Sequence, residues 1–268
     1  MAVDVERQLV RSEKDGRLAI LTMDDPPANT YTHAMMRQLD EAILDARFDD
    51  GVEVVIITGA GEKFFSAGAN VGMLNAVTPE FKYYFCLHAN ETLQRLEQTP
   101  KLVIAALNGH AVGGGLEIAM AADIRIARRD AGKIGLPEVG LGVLPGTGGT
   151  QRLLRLVGKA KAIELMVTGR TFSFELAQEM GIVNDVYEGD GASFREQILA
   201  YARQFCSPNK APMAVGHIKR SVQTGGELPL QDALALEREL QSLLFKSRDA
   251  HEGLAAFTEQ RVARFENK

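Results

Sequence analysis

The chain has 268 residues, enough to bury a substantial core. Its 46% hydrophobic and 24% charged residues are the balance of a globular protein and exclude a disordered chain. A formal net charge of −5 argues against nucleic acid as the main ligand, and no apolar run approaches the roughly 20 residues that span a bilayer.

In chain order, Val5–Arg11 and Arg17–Met23 alternate apolar and polar residues around Lys14-Asp15-Gly16, the pattern of a β-hairpin. Pro26-Pro27 stiffens the loop Ala28-Asn29-Thr30-Tyr31 that follows. Thr32 is placed to cap a helix whose apolar face is Met35, Met36, Leu39, Ile43 and Leu44. Its acidic face, Asp40, Glu41, Asp45, Asp49 and Asp50, reads as solvated. Val52–Thr58 is a buried-strand candidate closed by Gly59-Ala60-Gly61, and residues 62–74 read as a backbone-exposing loop. Thr78-Pro79-Glu80 opens a long helix reaching about Gln98.

The stretch that organises the chain follows. Leu102–Leu107 is a continuous apolar run, hence a buried strand, and Leu116–Ala122 is rich in good helix formers. Between them lies Asn108-Gly-His-Ala-Val-Gly-Gly-Gly115. Three consecutive glycines permit close backbone approach and leave peptide N–H groups unshielded at a helix start, a setting suited to an oxyanion. Glu117 sits one turn inside that helix. Taken alone, the same residues also describe a tightly packed turn with a glutamate in the favoured first turn.

Further on come a strand at Ile124–Ala127, an extended piece at Lys133–Gly135, and Leu136-Pro137-Glu138. A second glycine-rich bend, Pro145-Gly-Thr-Gly-Gly-Thr-Gln151, leads into a helix at Arg152–Val157. Helices at Lys159–Thr168 and Ser173–Met180 precede a strand at Ile182–Val186. From about Gly191 the pattern is wholly helical, with helices near 192–206, 211–223, 229–246 and 249–266. These elements predict an α/β fold of repeated β-β-α units over 1–195, followed by a helical segment over 196–268.

Several motifs lead nowhere. Gly140–Gly146 misses the GxGxxG spacing, Pro145–Gln151 lacks a Lys-Ser/Thr ending, and Ser66 is not in GxSxG. Cys86 and Cys206 form no CxxC, which fits a reducing, cytoplasmic setting, and the acidic N-terminus is unlike a transit peptide. The five histidines show no metal spacing, so no metal site is expected. His110, in the first glycine bend, reads as a packed, hydrogen-bonded residue with a lesser chance of touching substrate.

Four pieces occur in order: Phe64-Phe-Ser-Ala-Gly-Ala-Asn70, Asn108–Glu117, Leu136-Pro-Glu138 and Leu144-Pro-Gly-Thr-Gly-Gly-Thr-Gln-Arg-Leu153. Each is weak, but the ordered set resembles the crotonase superfamily of enoyl-CoA hydratases and isomerases, over essentially the whole chain. The resemblance implies a ClpP/crotonase-like spiral of β-β-α turns whose C-terminal helices form a trimer or a dimer of trimers. It implies that the N–H groups of Ala69 and Gly114 make an oxyanion hole for an acyl-CoA thioester. Glu117 and Glu138 match the two catalytic glutamates: Glu117 to deprotonate water attacking the β-carbon, Glu138 to protonate the α-carbon. Ala28, Ala67, Ala69, Asn70, Val71, Gly113, Gly114 and Pro137 fall where the family holds coenzyme A, which arrives as part of the substrate, so no separate cofactor is implied.

The chain departs from the family pattern at Asn70, where an aspartate is usual, and at Gln260, where many relatives carry a lysine that reaches CoA phosphates; Arg261 is a candidate substitute. Two glutamates favour an enoyl-CoA hydratase, with an isomerase using one glutamate as the alternative; short straight, branched and cyclic acyl groups all fit, and with them fatty-acid β-oxidation, branched amino-acid or aromatic degradation. Some relatives bind RNA, but that needs a lysine-rich first helix, and Met35–Asp50 carries only Arg37 and Arg47. For the acyl chain, Met73, Leu74, Phe81, Tyr84 and Phe85 are candidate lining residues.

Overall fold

The computed structural model describes residues 7–268. Strands β1 (Val10–Asp15) and β2 (Leu18–Met23) form the expected hairpin, shifted toward the C-terminus; Val5 and Glu6 lie outside the described residues. Asp15 pairs with Leu18, so Lys14 and Asp15 belong to the strand and the turn is Gly16-Arg17 alone. Such a two-residue turn needs positive φ, which Gly16 supplies at 59°.

The next elements are α1 (His33–Phe48), β3 (Val54–Gly59), β4 (Phe64–Ser66), α2 (Val71–Ala76) and α3 (Pro79–Glu97). Thr32 caps α1 as expected, accepting from the Met35 N–H at 3.3 Å. The expected loop at 62–74 holds both β4 and α2. Asn70 starts that helix by accepting from the Met73 N–H at 2.9 Å, a local cap that outweighs the small-residue composition. The acidic face of α1 is not simply solvated either. Asp40 takes a bidentate bond from Arg95 on α3, at 2.5 and 2.9 Å, and Asp49 pairs with Lys14 at 2.6 Å.

Then come β5 (Leu102–Leu107), β6 (His110–Val112), α4 (Gly114–Met120), β7 (Ile124–Arg128), β8 (Ile134–Gly135), a 3-10 turn at Glu138–Leu141, α5 (Gly149–Val157), α6 (Lys159–Thr168), α7 (Phe174–Glu179) and β9 (Asp185–Tyr187). The helical end comprises α8 (Gly191–Arg203), α9 (Pro212–Gly225), α10 (Leu230–Leu244) and α11 (Arg248–Thr258). The last helix stops eight residues before the expected position 266. Gln260 takes positive φ (55°), and the chain runs back so that the buried Asp249 carboxylate accepts the N–H groups of Glu266 and Asn267.

Strand pairing is the spiral in one dimension. One sheet has the order β1-β2-β3-β5-β7-β9, parallel apart from the hairpin; the other is β4-β6-β8, all parallel. Each of β3/β4, β5/β6 and β7/β8 therefore gives one strand to each sheet, as the repeated β-β-α reading requires. Alternation along the large sheet divides the core. Leu21, Val55, Ile57, Val103, Ala105 and Leu107 face the side holding α1, α3 and α4. Leu18, Ile20, Val54, Ile56, Ile104 and Ile126 face α8, through Phe194, Ile198 and Ala202. Helix α8 thus spans position 195 and covers the second face of the sheet. Burial on both faces is why Leu102–Leu107 is apolar without a break. No helix of the described residues is long and apolar enough to cross a membrane.

Candidate active site

The small sheet and two asparagines bring the scattered motifs together. Asn108, at the end of β5, exchanges bonds with Gly59 (accepting its N–H at 3.1 Å, donating to its carbonyl at 2.9 Å) and donates to the Gly61 carbonyl at 2.8 Å. Asn29 donates to the carbonyls of Ala60 and Phe64, both at 2.9 Å. Strand β4 is thereby held beside β6, and β6 beside β8. The Gly113 N–H donates to the Gly135 carbonyl at 2.9 Å, so Leu136-Pro137-Glu138 leaves β8 alongside the glycine bend. A side chain on Gly113 would lie 3.1 Å from Glu138 Oε1.

Between strand and helix the bend holds an additional strand, β6, so the transition is sharper than the sequence pattern implies. Its glycines are required by contact. A Cβ on Gly114 would lie 2.4 Å from the Tyr31 ring, and one on Gly115 would lie 2.1 Å from the Ser66 carbonyl oxygen. Ser66 itself is buried, donating to the Asn29 carbonyl at 2.8 Å and accepting from the Gly68 N–H at 3.1 Å, the bonding of a structural hydroxyl.

Gly68 lies directly against the start of α4: a Cβ there would be 2.8 Å from the Gly114 nitrogen. Ala69 follows it in a parallel bridge with Tyr31, in which Tyr31 donates to the Gly68 carbonyl at 2.9 Å and accepts from the Asn70 N–H at 3.0 Å. In a parallel bridge the Ala69 N–H points away from its partner. Gly114 is the first residue of its helix. Neither the Ala69 nor the Gly114 N–H has a hydrogen-bond acceptor among the described residues. Of the other predicted positions, Ala67 donates to the Ala28 carbonyl at 3.0 Å, Asn70 caps α2, Val71 is exposed at its first turn, and Pro137 adjoins Glu138.

Glu117 is only 2% exposed, on α4. Its Oε1 accepts two backbone N–H groups, from Thr147 and Gly149, both at 2.7 Å. These holders come from the second glycine-rich bend, whose role the sequence alone did not reveal; a Cβ on Gly149 would lie 2.9 Å from Glu117 Oε1, the signal that explains its glycine. Burial raises the Glu117 pKa, against the pull of the Gly149 and Thr147 N–H groups, the Thr147 hydroxyl and the Arg152 charge. Glu138 is pushed up to about 7 by burial, opposed by its own N–H and reinforced by the charge of Glu117. Its Oε2 is buried with no hydrogen-bond partner. The two carboxyls are electrically coupled and differ in one respect: one is clamped by donors that favour the anion, the other has none on its inner oxygen. Burial thus raises both carboxyls, while the hydrogen bonds that favour an anion converge on Glu117.

Other candidates lie elsewhere. His110 accepts from the Lys133 N–H at 2.9 Å through Nδ1, the packed arrangement. Arg261 is bound to Glu252 at 2.6 and 2.8 Å and to Glu259 at 2.6 Å. Tyr84 is exposed, Phe85 is buried against the Tyr31 ring at 5.7 Å, and Phe81 stacks on Phe85 at 6.4 Å. Among the described residues no group of three or more His, Cys, Asp or Glu side chains is arranged to hold a metal ion.

Comparison with known proteins identifies the family. A short-chain-enoyl-CoA hydratase of Clostridium acetobutylicum is 38% identical over 96% of this chain and 97% of its own length. A 2,3-dehydroadipyl-CoA hydratase of Escherichia coli is 35% identical over 94% of this chain and 96% of its own. The crystal structure of an enoyl-CoA hydratase from Geobacillus kaustophilus superposes with a TM-score of 0.94 at 44% identity, covering 98% of both chains. Residues 13–268 match the sequence model described as enoyl-CoA hydratase/isomerase, and the chain belongs to that family, the crotonase superfamily.

Proposed function

We propose that the chain is an enoyl-CoA hydratase, a hydro-lyase that adds water across the 2,3 double bond of a 2-enoyl-CoA thioester to give a 3-hydroxyacyl-CoA. The observation that carries this reading is a pair of coupled carboxyls with opposite hydrogen-bonding environments, together with two acceptor-free N–H groups, one of which, on Gly114, begins the helix that bears Glu117. The Ala69 and Gly114 N–H groups receive the thioester oxygen, and the negative charge that develops there as the enolate forms is stabilised. In a site shielded from water, one such preorganised donor contributes about 3–4 kcal/mol to lowering the barrier. Glu117, ionised, takes a proton from water as its oxygen bonds to the β-carbon. Glu138, protonated, delivers its proton to the α-carbon, and the proton gained by Glu117 restores the starting state of the pair. Dehydration runs the same steps backward. Backbone groups at Ala28, Ala67, Asn70, Val71, Gly113 and Pro137 hold coenzyme A, which is part of the substrate; the chemistry calls for no further cofactor.

An isomerase needs only the carboxyl at position 138. The hydratase reading is favoured over it because two backbone donors are committed to Glu117, an arrangement a one-carboxyl reaction does not use. RNA binding finds no support on α1, where Arg47 is engaged with Thr99 at 3.1 Å and with the Arg95 carbonyl. Assembly through the helical segment 196–268 into a trimer or a dimer of trimers is supported by exposed apolar side chains such as Val222, Leu230 and Phe257 (70, 72 and 86% exposed). A reducing, cytoplasmic setting and a place in β-oxidation suit the two free cysteines and the acyl-CoA substrate.

The test follows loss of enoyl-thioester absorbance with crotonyl-CoA and a panel of branched and cyclic 2-enoyl-CoAs, for wild type, Glu117→Gln and Glu138→Gln. Hydration by wild type with each variant slowed by about 100-fold or more is the expected result. An enzyme inert on 2-enoyl-CoAs that converts 3-enoyl-CoAs, and needs only Glu138, is an isomerase.

A further inference from the structure

Tyr31 belongs to none of the motifs that carry the family resemblance, yet it meets the Ala69 loop, the start of α4 and the Thr147 that holds Glu117. Its backbone pairs with Ala69, bonding to Gly68 on one side and Asn70 on the other. Its ring lies against Gly114, where an added Cβ would be 2.4 Å from Cε1 and 2.5 Å from the hydroxyl oxygen. That hydroxyl is 2.8 Å from Thr147 Oγ1. Thr147 in turn donates its N–H to Glu117 Oε1 at 2.7 Å, and its hydroxyl also favours the ionised carboxylate. Tyr31 and Thr147 are both buried, so neither hydroxyl exchanges its partner for water.

Resting on the hydratase reading, we propose that Tyr31 is a positioning residue of the reaction: its hydroxyl orients Thr147 and through it the Glu117 carboxylate, while its ring and backbone set the spacing of the Ala69 and Gly114 N–H groups. A purely space-filling aromatic would pack against Phe85 and Gly114 as well without a hydroxyl. The Tyr31 hydroxyl is paired with the one side chain that shares the Glu117 clamp. Burial, followed by the charge of Glu117, holds the Tyr31 pKa far above its usual value, so the phenol stays a neutral O–H donor at every pH at which the site works. Because the Thr147 hydroxyl favours the Glu117 anion by donating to it, in the proposed arrangement Tyr31 donates to Thr147 Oγ1. The relay moves no proton; it fixes an orientation.

The experiment compares wild type with Tyr31→Phe, Thr147→Val, Thr147→Ser and the Tyr31→Phe/Thr147→Val pair. It measures kcat, KM for crotonyl-CoA, the pH profile and the thermal midpoint. Tyr31→Phe keeps the ring and is expected to lower kcat by about 10- to 100-fold with little change in KM, the scale of a misoriented catalytic group. The acidic limb moves to higher pH, since Glu117 loses part of the bonding that favours its anion. Thr147→Val shows the same signature, the double variant is no worse than Thr147→Val because both act along one path, and Thr147→Ser recovers most of the loss. A Tyr31→Phe enzyme that matches wild type in kcat and in the acidic limb, whether or not its thermal midpoint falls, overturns the proposal. So does a double variant whose losses multiply. Wild type itself inert on 2-enoyl-CoAs instead overturns the hydratase reading, and this inference falls with it; the wild-type arm alone separates the two failures.

Discussion

Glu117 and Glu138 show how two identical side chains acquire different chemistry. Two N–H donors meet one of them and none meets the inner oxygen of the other, so the anion-favouring bonds fall on Glu117 alone. In the proposed hydration Glu138 supplies the α-carbon proton, and with its pKa pushed up to about 7 the rate should decline on the alkaline side of about 7; a pH–rate profile of kcat/KM checks this. The same raised pKa bears on stability. Between the ordinary carboxyl value and about 7 the folded protein binds a proton that the unfolded chain has released, so stability falls as pH rises through that window. Glu138→Gln should therefore be more stable than wild type near pH 8 by about 1–2 kcal/mol, allowing for partial solvent screening, with the gain shrinking toward about pH 5. Denaturant titrations at the two pH values measure it. Gly114→Ala tests the other half of the site. Its methyl must displace the buried Tyr31 ring, so we expect a loss of about 1–3 kcal/mol in stability together with loss of most activity.

At the scale of elements, the motifs were legible because local chemistry dictates them, and their meeting was not. Thr32 was readable as the cap of α1 from its position before an apolar face; Thr32→Ala should cost about 1 kcal/mol, read from urea unfolding. Leu102–Leu107 was readable as a buried strand, and Ile104→Ala, on the face covered by α8, should cost about 2–5 kcal/mol in the same measurement. What the pattern concealed was short. Strand β6, helix α2 and the early end of α11 each depend on a few residues: three-residue pairing with β4 and β8, the Asn70 cap, and the Asp249 carboxylate that receives the returning chain. Such elements carry too little periodicity to register in a sequence window.

At the scale of the whole molecule, the helical end leaves apolar side chains on α9, α10 and α11 exposed, Val222, Leu230 and Phe257 among them. We expect a native mass of three or six chains by light scattering, and Leu230→Asp to shift it toward the monomer. The sequence by itself determined the class of the fold, the order of its longer elements and, through four ordered motifs, the family, because these rest on periodicity, capping and residue type along the chain. The tertiary structure alone decided that the second glycine bend clamps Glu117, that Asp40 serves Arg95 and not solvent, and that Tyr31 pairs with Ala69, packs on Gly114 and reaches Thr147. Those contacts join residues 30 to 116 positions apart, and nothing in a local stretch of chain records which distant group will satisfy a buried carboxylate or hydroxyl.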